Sequence, residues 1–166
     1  MRYACIRKMD IANGPGVRVS IFMQGCAFHC KNCFNEETWD FLGGKEFTDK
    51  TIDRVLELCS KDYIKGLSIL GGEPLHPKNI EGTTLLAKKF KEKFKDKDLW
   101  VWTGFLFDEN LQGSEVLNYI DTLVDGQYKD ELHDPTLHFR GSSNQRVIDV
   151  QKSLKENKVV LREEYI

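Results

Sequence analysis

Three cysteines lie close together in one short stretch of the chain. Cys26, Cys30 and Cys33 have the spacing Cys-x3-Cys-x2-Cys and follow directly after an apolar run. Clustered thiolates in a short loop are a common way for a protein to bind a metal or an iron–sulfur centre. A closed zinc site takes four ligands, and a cluster saturated by the protein takes four cysteines. Three thiolates therefore leave one metal position for another ligand, which could be a substrate.

Other interpretations of these cysteines agree less well with the sequence. A structural zinc site needs a fourth ligand, and His29 directly precedes Cys30, where it is poorly placed to close the same tetrahedron. A disulfide framework is disfavoured by the odd count of five cysteines and by the lack of a secretory signal. One catalytic thiol does not explain three cysteines at fixed spacing. Of the two remaining cysteines, Cys5 has no partner beside it, and Cys59 continues an apolar helical series as a core thiol would. An open iron–sulfur site is favoured, with zinc as the main alternative.

The composition is that of an ordinary globular protein, and 166 residues suffice for one domain, 1–166, with a sizeable core. The 24 Lys and Arg residues nearly balance the 26 Asp and Glu residues, so the net charge of −2 gives no general attraction to nucleic acid or membranes. No apolar run approaches the roughly 18 residues that a membrane span needs. Clustered reduced thiols favour a cytoplasmic location. We expect a single cytoplasmic domain that binds neither nucleic acid nor membrane.

Several short apolar runs have the pattern of strands. The clearest runs from Val17 to Gln24, where apolar and more polar residues alternate with a period of two. Residues 1–10 show no clear pattern. Further apolar runs predict strands over 66–70, 99–103, 122–124 and 137–139, with an edge strand over 159–161.

Amphipathic helices separate these strands. Thr48 is a suitable N-cap for the first helix, and a short helix follows Ser114. Two longer patterns predict helices, one with Leu85, Leu86, Phe90 and Phe94 on one face and one with Val147, Ile148 and Val150. The alternation implies βα units on a parallel sheet. A complete barrel takes about 250 residues, so we predict an α/β fold that is an open, partial (β/α) barrel of roughly five to six mostly parallel strands.

Polar and glycine-rich segments follow the predicted strands, and each lies at a strand's carboxyl end. In barrels and open α/β sheets this edge is where ligands bind. We therefore expect one site that combines the cysteine loop with Gly71-Gly72-Glu73-Pro74, Thr103-Gly104, Asp125-Gly126 and the segment 140–146.

The segment Gly71-Gly72-Glu73-Pro74 suits close contact with a ligand. Two glycines lack Cβ atoms, so the backbone can approach a ligand and bend sharply. Glu73 offers a carboxylate, which is a natural partner for an ammonium group. The alternative is an ordinary turn between a strand and a helix.

With Cys26-x3-Cys30-x2-Cys33 after one strand and Gly72-Glu73-Pro74 after the next, the chain resembles the radical S-adenosylmethionine (SAM) superfamily. The partial barrel would then be of the radical SAM type. Within this superfamily the chain is similar to the family of activating proteins of anaerobic ribonucleoside-triphosphate reductases. The similarity spans nearly the whole chain, in order, over residues 13–18, 25–35, 38–39, 72–77, 100–104, 123–126 and 140–145.

The resemblance implies a cofactor and a reaction. Cys26, Cys30 and Cys33 would hold three irons of a [4Fe–4S] cluster, and the fourth iron would chelate the amino and carboxylate groups of SAM. Reductive cleavage of SAM would give a 5′-deoxyadenosyl radical, which would take a hydrogen atom from a glycine of the large reductase subunit. No catalytic residue beyond the cluster and SAM is implied.

Roles for individual residues follow from the same resemblance. Gly72 and Glu73 would meet the amino group of SAM, and Asn32, Cys33 and Phe34 would lie near its adenine. Position alone suggests contacts to the ribose, to methionine or to the partner for three further residues, Thr103, Asp125 and Ser143.

Two partners are implied. Cleavage of a sulfonium needs the low end of the range of iron–sulfur potentials, so a reduced flavodoxin-like electron donor is expected. The chain lacks an Arg-Val-x-Gly-Tyr-like segment, so the radical-bearing glycine belongs to a partner. The resemblance implies that this partner is the anaerobic ribonucleotide reductase large subunit. Three alternatives remain: a radical SAM enzyme acting on a small molecule, an activase of another glycyl-radical enzyme such as pyruvate formate-lyase, and a zinc-stabilised binding module.

Overall fold

The computed structural model describes the whole chain, Met1 to Ile166. It contains seven β-strands and three α-helices, joined by turns and four short 3-10 segments. The strands are β1 (Arg2–Asp10), β2 (Arg18–Gln24), β3 (Lys45–Glu46), β4 (Gly66–Gly71), β5 (Asp98–Trp102), β6 (Thr122–Asp125) and β7 (Arg146–Asp149). The helices are α1 (Asp49–Cys59), α2 (Ile80–Lys93) and α3 (Val150–Glu156).

All seven strands form one open sheet in the order β3-β1-β2-β4-β5-β6-β7. The four central strands β2, β4, β5 and β6 run parallel, whereas β1, β3 and β7 pair antiparallel with their neighbours. The prediction of an α/β fold with an open sheet is confirmed. The prediction of roughly five to six mostly parallel strands is wrong, because the sheet has seven strands and half of its pairings are antiparallel. The radical SAM partial barrel stays a prediction.

The flanking strands explain this error. β1 has two register irregularities, between Tyr3 and Cys5 and between Arg7 and Asp10, and these break the period of two that a regular strand would show. β7 was predicted as helix, but α3 begins only at Val150, after Asp149 caps it by accepting a hydrogen bond from the Lys152 N–H.

Two short predicted strands are not formed. Residues 137–139 are a turn in which Phe139 has a positive φ of 59°. Residues 159–161 contribute a single bridge, from Leu161 to Ile148. Short apolar runs near the surface cannot be distinguished from turns by pattern alone.

The helices cover one face of the sheet. Val19, Ile21 and Met23 of β2 pack there with the apolar faces of α1 and α2. Thr48 begins α1 as predicted, and its N–H donates to Thr51 Oγ1 at 3.0 Å. In α2 the predicted face is only partly buried, because Leu86 and Phe90 are buried while Leu85 is 40% exposed.

The opposite face of β2 is buried as well, although it is polar. Arg18 is 0% exposed and makes five hydrogen bonds. Its guanidinium reaches the Asp98 carboxylate at 2.7 Å and Ser68 Oγ at 2.8 Å, and Ser68 in turn donates to the carbonyl of Asn13 at 2.6 Å. This network holds the loop before β2 against β4 and β5. The alternating pattern of the sequence thus reflects two different buried environments.

Candidate iron–sulfur site

A cavity of about 620 Å³ opens at the carboxyl ends of the parallel strands. Four of the segments that the sequence placed at this edge contribute to its wall, and from the fifth, Asp125-Gly126, only Gly126 does. The segment 140–145 reaches the same edge because β7 runs antiparallel to β6, so its leading residues lie where β6 ends. The predicted convergence is confirmed. The wall residues from these five segments are Cys26, Phe28, Cys30, Cys33, Phe34, Asn35, Gly71, Gly72, Glu73, Thr103, Gly104, Gly126, Arg140, Gly141 and Gln145.

The cysteine loop starts from a sharp, anchored turn. Gly25 has a φ of 105°, and a Cβ atom there would overlap the ring of Phe41. The N–H groups of Gly25 and Cys26 donate to the carbonyls of Thr38 and Trp39 at 2.7 and 3.1 Å, which ties the start of the loop to its end. The backbone conformation and the contact with Phe41 therefore require glycine immediately before the first cysteine.

The loop then folds back on itself through two left-handed residues. His29 and Asn32 have φ values of 49° and 57°. The Cys33 N–H donates to the Cys30 carbonyl at 3.2 Å, and the Asn35 N–H donates to Cys33 Sγ at 3.4 Å. One backbone donor therefore already points at a sulfur atom. Hydrogen bonds to the sulfurs are among the factors that set the potential of an iron–sulfur cluster.

All three thiols are free and face the same cavity. Cys26 is buried, and Cys30 and Cys33 are half-buried. No three His, Cys, Asp or Glu side chains lie close enough together to hold one metal ion. The three thiols nevertheless all line the same cavity. His29, the fourth ligand that a zinc site would need, stacks on Trp39 with ring centroids 4.4 Å apart and does not line the cavity.

Burial affects the protonation of two of these thiols. It raises the pKa of Cys26 and of Cys30 above the ordinary value, against hydrogen bonds that lower it. The neighbouring Glu73 and Cys30 raise the pKa of Cys26 further. The thiolates therefore become favourable when a cationic centre binds and displaces the protons.

The glycine pair Gly71-Gly72 at the end of β4 contacts the backbone that leads into the cysteine loop. A Cβ atom on Gly71 would come within 2.6 Å of the Met23 nitrogen, and one on Gly72 would come within 2.6 Å of the Gly25 carbonyl oxygen. The Gly72 N–H donates to Met23 O at 2.9 Å, and the Glu73 N–H donates to Gly25 O at 2.8 Å. The two segments that carry the motif residues are thus joined through backbone contacts that only glycine permits.

Glu73 connects the loops after β4 and β5. Its carboxylate is 1% exposed, and it accepts hydrogen bonds from Thr103 Oγ1 at 2.6 Å, from the Gly104 N–H at 2.7 Å and from the Leu75 N–H at 3.0 Å. Burial raises the pKa of Glu73 to about 7, against the three hydrogen bonds, which lower it. The side chain contributes to the cavity wall and at the same time fixes the shape of that wall.

The raised pKa of Glu73 predicts a specific pH dependence of stability. Because its pKa in the folded chain, about 7, lies above its ordinary value of 4.5, the folded state binds more protons than the unfolded state between these values. Stability should therefore fall as pH rises through about 7, by a contribution on the order of 3 kcal/mol. The measurement is urea unfolding at pH 5 and pH 8 for the wild type and for Glu73→Gln. A pH dependence as steep in Glu73→Gln as in the wild type would contradict this assignment.

Two aromatic rings of the cysteine loop pack against the loops that follow β5 and β6. The Phe28 ring lies against Gly104, where a Cβ atom would be 2.6 Å from the ring. The Phe34 ring lies against Gly141 and Tyr128, and its centroid is 5.1 Å from that of Tyr128. A side chain on Gly104 or Gly141 would displace the Phe28 or the Phe34 ring. The two glycines therefore allow the cysteine loop to pack closely against these neighbouring loops.

The remaining candidate residues differ in their placement. Phe34 and Thr103 line the cavity. The Asn32 side chain lies outside it and donates to Asp130 at 2.9 Å. Asp125 is fully buried and paired with Arg146 at 2.6 Å, and Ser143 is exposed, so neither lines the cavity.

The two spare cysteines lie outside the site. Cys59 is fully buried, and burial raises its pKa to about 12, so it is the core thiol that the sequence predicted. Cys5 is exposed on β1. None of the helices combines the length and the apolar composition needed to cross a bilayer.

The sequence did not single out several cavity residues. Arg7 comes from β1, Trp102 from the end of β5, and Arg140 and Gln145 from the segment before β7. The polar run 140–146 and the family similarity over 140–145 were the signals for the last two, and neither indicated which side chains face inward.

Comparison with known proteins gives a consistent result. A family model described as a 4Fe-4S single cluster domain matches residues 12–148, which include all three cysteines of the loop. Proteins called anaerobic ribonucleoside-triphosphate reductase-activating protein are similar over most of their length. That of Enterobacteria phage T4 is 42% identical over 147 residues, which is 89% of this chain and 93% of the relative. Those of Salmonella typhi and Escherichia coli K12 are 41% and 40% identical over 150 residues, each covering 89% of this chain and 97% of the relative.

Proposed function

Because the chain belongs to the family of anaerobic ribonucleoside-triphosphate reductase-activating proteins, we propose that it is a radical SAM activase. Its target would be the large subunit of the anaerobic ribonucleotide reductase, in which it would generate a glycyl radical. One observation carries the proposal: three free thiols on one loop line a single cavity that also contains the Gly-Gly-Glu segment.

The residues present fit a [4Fe–4S] cluster and SAM. Thiolates are the ligands that such clusters take, and three of them leave one iron open. The cavity of about 620 Å³ lies within the range of roughly 300–1,000 Å³ that small-molecule and cofactor sites occupy. When bound, the reduced cluster would supply the electron that cleaves SAM, and the resulting radical would abstract the glycine hydrogen.

The chain itself would hold and orient these groups. Cys26, Cys30 and Cys33 would each take one iron. The backbone at Gly72 and the carboxylate of Glu73 would face the amino group of SAM, since both lie on the wall of the cavity that the cysteine loop also lines. Cys33 and the Phe34 ring would lie near the adenine, whereas Asn32 could contribute only through its backbone.

Apolar side chains would keep water from the reaction. Phe22, Phe28, Leu70 and Trp102 line the cavity between the motif residues. Such a wall limits side reactions of a reactive intermediate and strengthens electrostatic contacts inside the site. The reductase would supply the glycine, and a flavodoxin-like protein would supply the electron. The free thiols and the need for a reduced electron donor both suit the reducing cytoplasm.

The test is the transfer of a radical to a partner. The reduced, cluster-loaded protein is mixed anaerobically with SAM and the large reductase subunit, and the glycyl radical is counted by EPR. Pyruvate formate-lyase serves as the parallel substrate. We expect the radical only in the reductase. A radical in pyruvate formate-lyase alone would transfer the proposal to that class of activase, and consumption of SAM with a radical in neither protein would favour a small-molecule substrate.

A further inference from the structure

Two of the seven arginines line the cavity, and neither has a carboxylate partner. The exposed Arg7 places its guanidinium 4.6 Å from the ring centroid of Phe22. Arg140 is half-buried at the start of the segment 140–145, which leads to β7. Most other arginines form ion pairs, namely Arg18, Arg54, Arg146 and Arg162.

Arg140, unlike the exposed Arg7, has a buried hydrogen-bond donor without an acceptor. One of its terminal nitrogens donates to the Gln145 carbonyl at 2.8 Å. Its Nε is buried and has no hydrogen-bond partner. A buried donor on a charged group that lacks an acceptor is costly, so the position favours a ligand that supplies one.

The segment around Arg140 is fixed before any ligand arrives. Gln145 Oε1 accepts hydrogen bonds from the N–H groups of Gly141 and Ser142 at 2.9 and 3.1 Å, and Gln145 Nε2 donates to Gly126 O at 3.0 Å. On the other side, the Phe139 carbonyl accepts a hydrogen bond from Trp102 Nε1 at 2.8 Å. Arg140 is therefore held between the ends of β5 and β6, and little ordering would remain for binding.

The carboxylates already on the cavity wall do not satisfy Arg140. Glu73 is engaged by Thr103, Gly104 and Leu75. Asp134 accepts from the N–H and the hydroxyl of Thr136 at 2.9 and 2.6 Å. No acceptor of the chain reaches this Nε, so a molecule that enters the cavity can supply one.

We infer that Arg140 binds a carboxylate inside the cavity, with Gln145 as the residue that positions it. A guanidinium matches a carboxylate with paired, charge-assisted hydrogen bonds. The inference rests on the proposed function, under which the carboxylate has two possible sources: the methionyl group of SAM, or an acidic side chain of the reductase if its glycine-bearing segment carries one.

The experiment compares SAM with decarboxylated SAM on the cluster-loaded protein. Dissociation constants are measured anaerobically for the wild type, Arg140→Gln and Arg140→Lys. If SAM supplies the carboxylate, Arg140→Gln should weaken SAM binding about 10- to 100-fold, which is the usual loss for a charged hydrogen bond, and should leave decarboxylated SAM unaffected. Arg140→Lys should keep part of the affinity, because it retains the charge but not the paired geometry.

Arg7→Gln is the matched control, because it removes the same charge from the rim of the same cavity. It should change the affinities for both ligands equally. Thermal unfolding of each variant establishes whether the chain is folded. If Arg140→Gln does not fold, the affinities of Arg140→Lys are used for the test instead.

If the reductase supplies the carboxylate, SAM binding is unchanged in Arg140→Gln and binding of the large reductase subunit is weakened instead. Equal affinity of wild type and Arg140→Gln for SAM and for the reductase would overturn the inference. Failure of the wild type to bind a cluster or SAM would overturn the proposed function itself, which is a separate outcome.

Discussion

Replacing Cys30 by alanine should abolish cluster binding and SAM cleavage while leaving the chain folded. Cys30 is half-buried on a loop over the cavity and belongs to no hydrophobic cluster, so its loss removes a ligand without opening a void in the core. Two thiolates on the loop would leave two irons without a protein ligand. The measurements are iron and acid-labile sulfide per chain after anaerobic reconstitution, together with thermal unfolding of the same sample.

The chain provides two matched controls for this substitution. Cys5→Ala removes an exposed thiol on β1 and should change neither the cluster nor the stability. Cys59→Ala removes a fully buried thiol and should lower the stability while the cluster still forms. Normal iron and sulfide in Cys30→Ala would exclude Cys30 as a ligand and with it the cluster assignment.

Replacing Arg18 by methionine should lower the free energy of unfolding by about 3 kcal/mol. The guanidinium is fully buried and makes five hydrogen bonds, so its loss leaves Ser68 Oγ and several carbonyls without their donor. We expect the lower end of the range for broken buried ion pairs, because the Asp98 side chain is 31% exposed and can recover water. Urea unfolding, with the slope compared between variants, gives the value.

Arg54→Met is the control for Arg18. Arg54 forms an ion pair with Glu57 on the surface of α1, where both side chains are exposed, and its loss should cost no more than about 0.5 kcal/mol. A loss in Arg18→Met as small as that in Arg54→Met would mean that the buried network contributes little to stability.

The centre of the fold was predictable because its strands are buried and parallel. Apolar runs that stop at glycine marked β2, β4, β5 and β6, and their direction followed from the helices between them. The flanks were not predictable in the same way. β1 is irregular, β3 has two residues, and β7 runs directly into α3, so none of them shows a clean period.

The parts of the site that depend on residue spacing within one segment were predictable from the sequence. Three cysteines on one loop and a glycine pair after a strand carry their chemistry in the sequence itself. The hydrogen bond between Thr103 and Glu73 could not be predicted in this way. Thr103 lies 30 residues away in the chain and contacts Glu73 only because two loops pack together. Arg140 was missed for a related reason: its position depends on the antiparallel direction of β7, which the sequence did not reveal.

The central claim is that the three thiols hold a [4Fe–4S] cluster with one iron open to SAM. The most direct test is the EPR spectrum of the reconstituted, reduced protein, recorded without oxygen, with and without SAM. We predict a [4Fe–4S]⁺ signal that changes when SAM is added, followed by release of 5′-deoxyadenosine. A colourless protein that binds zinc and gives no such signal would contradict the claim and favour a zinc-stabilised binding module.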